Sequence, residues 1–189
     1  VDIYPISSPG NAKPGRFNVV EFSRLTAADL TPGQTNPKAA AAAKEYVVRA
    51  TKDALNGEVA GLVTLPMNKE ATRIGDPNFV GHTELIASIC GTKNFSMMLT
   101  TPEVAVSHVS THVSLEKAIQ LVEPDRIVNV IELTNEALRK FMKRPRIAVC
   151  GLNPHAGEAG IFGHEDQTSI IPAVIMAKSR NIDVSGPHP

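Results

Sequence analysis

Net charge is the first thing this sequence lacks. Nineteen basic residues stand against nineteen acidic ones in 189, so no global field recruits nucleic acid or an anionic membrane, and any anion must be bound by a local site. No apolar run approaches the length of a membrane span, and the N-terminus has no basic-then-apolar signal pattern. A cytoplasmic protein is the expectation. Cysteine is scarce too: Cys90 and Cys150 fall in no C-x-x-C spacing. In apolar contexts, each is expected to be a small buried hydrophobe in a reducing compartment.

What is present reads as globular. A hydrophobic fraction of 42% and a charged fraction of 20% suit one large or two small domains with a sizeable core. The stretch VDIYPISSPGNAKPGRFNVVEF at the start reads as extended, turn-rich chain. The other end, GPHP, follows a helix with no closing element, and His188 falls there in a loose tail. The expectation is a piece of something larger.

Asn36-Pro37 supplies an N-cap and a proline at the first helical position, and Gly57 a stop. Between them Ala40, Ala43, Val47, Ala50 and Ala54 recur at helical spacing. VAGLVTL then reads as a buried strand, and PMNKEATRIGDPNF as a loop or broken helix. In GHTELIASICGT, Thr83 is expected to cap a helix of about two turns that Gly91 stops. FSMMLTT and EVAVSHVS read as adjacent strands with some antiparallel pairing. Ser114 is expected to cap LEKAIQLV. Pro124 opens a long amphipathic helix with Ile127, Val130, Ile131, Leu133, Leu138 and Phe141 inward. Ile147 to Cys150 reads as a short buried strand, and a last helix runs around Thr168 to Arg180 with Pro172 bending or restarting it. Strands alternating with helices predict an α/β layered fold.

After Cys150 the chain places an amide, a histidine and a carboxylate, Asn153, His155 and Glu158, among glycines and a proline. Polar side chains on a loop at a strand end sit where open α/β sheets bind ligands. Of the six histidines, His108 and His112 lie roughly 13 Å apart if extended, too far to share a metal. The alternating, β-branched VAVSHVSTHVS argues against a helix that would bring them together. His112, at the strand's end, is the better ligand candidate, with His108 packed deeper. His112 and His155 thus both fall at strand ends, where two imidazoles can hold a divalent metal, although a catalytic site takes a third ligand. His82 and Thr83, after Gly81 at a helix start, suit an anion such as a phosphate; an ordinary cap beside a surface histidine is the plainer reading.

Taken together, LVTLPMNKEA, GHTELIA, STHVSL and VCGLNPHAGEAGIFG resemble the 4-hydroxythreonine-4-phosphate dehydrogenase family of pyridoxal phosphate biosynthesis, in order and in register from about Pro32 to Pro189. The resemblance implies an isopropylmalate-dehydrogenase-like α/β/α layered fold with a mixed sheet, and a homodimer with its active site at the interface. It implies NAD-dependent oxidation of 4-phosphohydroxy-L-threonine, then decarboxylation to 3-amino-2-oxopropyl phosphate. The required divalent metal is zinc first, with magnesium or cobalt as alternatives. His112 and His155 match metal-binding histidines, and His82 and Thr83 match substrate-binding positions; His108, His164 and His188 match none. A metal chelated by the substrate's hydroxyl and carboxylate acts as a Lewis acid on the alcohol. Glu158 and Asn153 are guesses for residues that orient a ligand from behind.

The family's opening aspartate-proline-alanine-glycine block, its third metal histidine and most of its nicotinamide site find no counterpart. Residues 1–189 are therefore expected to be the central part of a two-domain dehydrogenase, with terminal segments lacking and the internal boundary undefined. Such a piece is expected to be a poor catalyst alone. VSHVSTHVSLEKAIQLV leans toward paralogues that act on D-threonate or D-erythronate 4-phosphate. From other classes, a metal-dependent hydrolase and a non-catalytic module binding a phosphorylated ligand remain open.

Overall fold

Asn36 starts helix α1 (Pro37–Leu55) as its composition predicts: the side-chain oxygen accepts from the N–H groups of Lys38 and Ala39, and Pro37 occupies the first turn. Gly57, at φ 74°, follows the helix. The computed structural model describes residues 2–22 and 25–189. Among these, six short strands alternate with six α-helices and several tight helical turns, and the fold is α/β. The chain forms two compact units, one running to Lys93 and the other from Asn94 to Pro189.

In the first unit, β1 (Ile3–Ile6) and β2 (Phe17–Val20) pair in parallel, Ile3 opposite Phe17. The turn-rich start is therefore a small ladder. Helix α1 packs on α2 (Lys69–Gly75) and α3 (His82–Ile89), burying Ala40, Ala42, Val47, Ala71 and Ala87. The expected strand VAGLVTL does not form: it is bend and irregular chain, with Val63 94% and Leu65 82% exposed. An apolar run is held as a strand only where a neighbour takes up its backbone hydrogen bonds, and none does so here among the described residues.

In the second unit, β3 (Met98–Thr100) and β4 (Ala105–Ser107) form the expected antiparallel hairpin. Ser114 caps α4 (Leu115–Gln120) by accepting from the Lys117 N–H at 3.2 Å. Helix α5 (Pro124–Arg139) buries Ile127, Val128, Val130, Ile131 and Thr134. Phe141 lies past the helix end and is 85% exposed rather than inward. β5 is Ile147–Cys150. One turn of π-helix, Asp166–Ile170, leads into α6 (Ile171–Ser179), which restarts with Pro172 in its first turn. The chain does not then trail off: Val184–His188 forms β6, parallel to β5, with Ile147 opposite Val184. His188 belongs to that strand, its Nε2 2.8 Å from Ser185 Oγ. A serine, a glycine and a proline carry no strand periodicity, so β6 was invisible in the sequence.

The core of this unit lies between α5, α6 and the β5–β6 pair: Ile127, Val128, Ile131, Ile170, Ala173, Val174, Ala177, Ile182 and Val184, with Ile147 and Val149 packed against them. β5 is half-buried, its alternate residues Ala148 and Cys150 facing out. Both cysteines are exposed, against expectation. Cys150 takes the outward side of an alternating strand, and Cys90 ends α3.

Candidate active site

Three stretches carry the site residues singled out above. The first is the start of α3, within the first unit. The helix begins at His82, so its N-cap is Gly81 and not Thr83, which lies inside the first turn. Gly81 has no side chain to give, and the first-turn N–H groups of α3 are left without a side-chain acceptor. His82 Nε2 is buried without a hydrogen-bond partner among the described residues. Glu84 Oε2 and Lys69 Nζ lie beside the glycine, 3.1 and 3.8 Å from where a Cβ on Gly81 would sit. The end of the helix thus offers free donors and one cation, beside one carboxylate that competes with an incoming anion.

The second stretch leads to His112. β4 stops at Ser107, but the His108 N–H still donates to the Met97 carbonyl at 3.0 Å. His108 is half-buried against the hairpin, as its deeper position suggested. The hairpin is tied to α5 by Thr134, whose hydroxyl donates to the Val130 carbonyl and accepts from Ser107 Oγ, each at 2.7 Å. Arg126 binds both flanks of the hairpin, donating from Nε to the Val109 carbonyl and from Nη2 to the Phe95 carbonyl, each at 3.0 Å. Burial of that guanidinium pushes its pKa down. His112 follows at φ 56°, exposed, just before the Ser114 cap.

The third stretch is the loop after β5, the least ordinary backbone in the molecule. From His155 to Ala159 five successive residues are left-handed, with φ between 39° and 78°. Only Gly157 among them is a glycine. Left-handed backbone costs about 1–2 kcal/mol per L-residue and normally occurs one residue at a time, so this turn must be braced. Asp166 braces its entry. It is fully buried, accepting from the Leu152 N–H at 2.9 Å, the Asn153 N–H at 3.1 Å and Asn153 Nδ2 at 2.8 Å. Each hydrogen bond to a charged group contributes about 1.5–3 kcal/mol; three together match the order of the cost at the four non-glycine residues. The approach requires Gly151, where a Cβ would lie 2.9 Å from Asp166 Oδ1.

Asn153 Nδ2 also donates to Glu165 at 2.8 Å, and chiefly that bond holds the Glu165 carboxyl below its ordinary value. Asn153 is therefore bound to two acids. Glu158 is exposed at φ 39°, and its carboxylate has no hydrogen-bond or ion-pair partner among the described residues. His155 is exposed too, its ring 6.0 Å from that of Phe162. Among the described residues, no three His, Cys, Asp or Glu side chains come together to hold a metal. The imidazoles of His112 and His155 nevertheless have the chemistry of metal ligands: both are exposed, and neither has a hydrogen-bond partner among the described residues. Asp166 and Arg126 escaped the sequence reading. An acidic pair before a helix looks like an ordinary solvated first turn, and an arginine two residues after a helix-opening proline looks like surface.

Comparison with known proteins gives one consistent result. The family model of the pyridoxal phosphate biosynthetic protein PdxA matches residues 2–189. The D-threonate 4-phosphate dehydrogenase of Cupriavidus necator is 43% identical over 159 residues, which are 83% of this chain and 48% of that protein. The 4-hydroxythreonine-4-phosphate dehydrogenase of Desulforapulum autotrophicum is 37% identical over 193 residues, 100% of this chain and 57% of that one. The crystal structure of 4-hydroxythreonine-4-phosphate dehydrogenase from Klebsiella pneumoniae superposes with a TM-score of 0.90 at 37% identity, covering all of this chain and 59% of the other. The chain spans about half to three fifths of the length of these relatives.

Proposed function

The chain belongs to the PdxA family of pyridoxal phosphate biosynthetic proteins, and from that premise we propose that it serves the NAD-dependent oxidation of a 4-phosphorylated hydroxy acid, D-threonate 4-phosphate before 4-phosphohydroxy-L-threonine. Threonate is placed first because relatives named for it are 43% identical over 159 residues and 38% over 192, against 37% over 193 for the 4-hydroxythreonine enzyme. The observation that carries the reading is the strained loop itself: left-handed backbone in an otherwise regular fold collects where function needs a side chain held in place, and this loop presents His155.

The roles follow from the environments. His155 and His112 are metal ligands, each at the end of a segment tied down from behind, by Asp166 in one case and by Arg126 and Thr134 in the other. A bound divalent ion supplies Lewis acidity to the substrate's alcohol. The open first turn of α3 takes the phosphate through its N–H groups, with Thr83 and His82 beside it. Asn153 and Glu158 do not brace an imidazole from behind: Asn153 is bound to Asp166 and Glu165, and Glu158 faces solvent.

Calorimetric titration of the purified chain with D-threonate 4-phosphate, with and without zinc, tests the reading. Zinc should tighten binding at least about tenfold, a gain that His112→Ala and His155→Ala each abolish. Thr83→Ala should weaken binding with or without the metal. Binding indifferent to zinc and to both histidines would instead favour a non-catalytic module that takes phosphorylated ligands.

A further inference from the structure

We propose that Asp166 is a positioning residue for His155: its two oxygens, as acceptors, hold the junction of β5 and the left-handed turn in the one conformation that presents the imidazole. The proposal rests on the reading of His155 as a metal ligand. Its structural basis is independent of that reading. Asp166 lies thirteen and fourteen residues beyond its partners, is wholly buried, and accepts from three donors, the Leu152 N–H, the Asn153 N–H and Asn153 Nδ2, the last shared with the Glu165 carboxylate. Its own backbone opens the π-turn that joins α6 and packs on α5. The carboxylate therefore fastens the loop to the buried α5–α6 core of its unit. Gly151 leaves the space that lets the carboxylate approach. Two residues past Asn153 the chain enters the left-handed run at His155, so the direction of the imidazole is set by the dihedral angles that Asp166 fixes at 152 and 153.

Acceptor chemistry can be separated from simple space-filling. Asn has the shape of Asp but turns an NH2 toward groups that are themselves donors, so an isosteric change strikes only the acceptor role. Two measurements on the purified chain decide the matter: hydrogen exchange of backbone amides, and affinity for zinc offered as its chloride. Asp166→Asn is expected to speed exchange at Leu152, Asn153 and the turn by at least about tenfold while α5 exchanges as before. It should also weaken zinc binding about 10- to 100-fold, the usual loss when a residue that orients a ligand is removed. Asp166→Glu, which keeps two acceptor oxygens, should recover part of both.

Exchange and zinc affinity unchanged in Asp166→Asn would overturn the proposal. So would faster exchange spread evenly over residues 94–189, which would make the residue a general support of the fold. If Asp166→Asn does not fold, Asn153→Ala removes only the side-chain donor and should give the same local pattern at smaller amplitude; no local change would overturn the proposal. His155→Ala separates the two readings. It should abolish the zinc affinity while Leu152 and Asn153 stay protected. Zinc bound as tightly without His155 would overturn the metal reading, and exchange in Asp166→Asn would then decide the positioning role.

Discussion

Two apolar runs in this chain have similar sequences and different fates. Val59–Leu65 and Ile147–Cys150 both follow a helix and precede a turn-rich segment with an asparagine in it. The second is a strand because β6 takes up its hydrogen bonds and because α5 and α6 cover the face that carries Ile147 and Val149. The first has no ladder partner among the described residues, and Val63 and Leu65 stand in solvent. Hydrophobicity prepares a segment for a sheet, but the neighbour makes the strand.

The largest expected effect comes from breaking the covered side of that comparison. Ile131 is 4% exposed at the centre of the α5–α6 core, and Ile131→Ala should cost about 2–5 kcal/mol. Leu65→Ala should stay within about 0.5 kcal/mol of zero. Urea unfolding followed by circular dichroism measures both. A cost at Leu65 equal to that at Ile131 would show the first run to be packed in solution and would end the contrast.

Glycines in and beside the two runs sharpen it. Gly186 sits in β6 at φ 132°, and a Cβ there would collide with the Val149 carbonyl of β5. Gly186→Ala should therefore cost about 1–3 kcal/mol. Gly61 has open space around the same position and no left-handed φ. There Gly61→Ala should be neutral or stabilise by about 0.4–1 kcal/mol, by restricting the unfolded chain. Equal losses at the two positions would mean that Gly61 is enclosed by something that closes around it in solution.

Caps and helical spacing made most of the helices legible. Asn36, Ser114, Pro124 and Pro172 all act where their chemistry put them, because capping is local and needs no knowledge of the rest of the fold. The hairpin was legible from β-branched alternation. The strand at 59–65 and β6 were not, because pairing is decided by a partner distant in sequence. At the site, glycines and a proline announced an irregular loop and His155 stood out within it. Its left-handed run and the acid that braces it did not, since Asp166 lies thirteen residues past Asn153 and reads as a solvated helix start. Asn153 and Glu158 were chosen for their polarity. The structure gives Asn153 two acceptors and leaves Glu158 facing solvent.

The smallest effect, and the most selective, is acid titration of the loop that follows the paired run. The Glu165 carboxyl is held below its ordinary value of 4.5, first by the hydrogen bond from Asn153. A carboxyl with a depressed folded pKa contributes stability that is fully present above its unfolded value and is lost as pH falls through the folded one. Signals of Asn153 and its neighbours should accordingly shift only as pH falls below the ordinary glutamate range, while residues 61–65, which have no ladder partner among the described residues, stay still. In the first unit Asp29, lowered from 3.8 to about 2 chiefly by its hydrogen bond from Lys38, should hold its turn until the pH falls toward that value. Glu165→Gln leaves an acceptor facing Asn153 but nothing to titrate, so the acid step should vanish at Asn153 while Asp29 titrates as before. A step that persists in Glu165→Gln would place its proton on another group and would break the link between the Asn153–Glu165 hydrogen bond and the acid sensitivity of this loop.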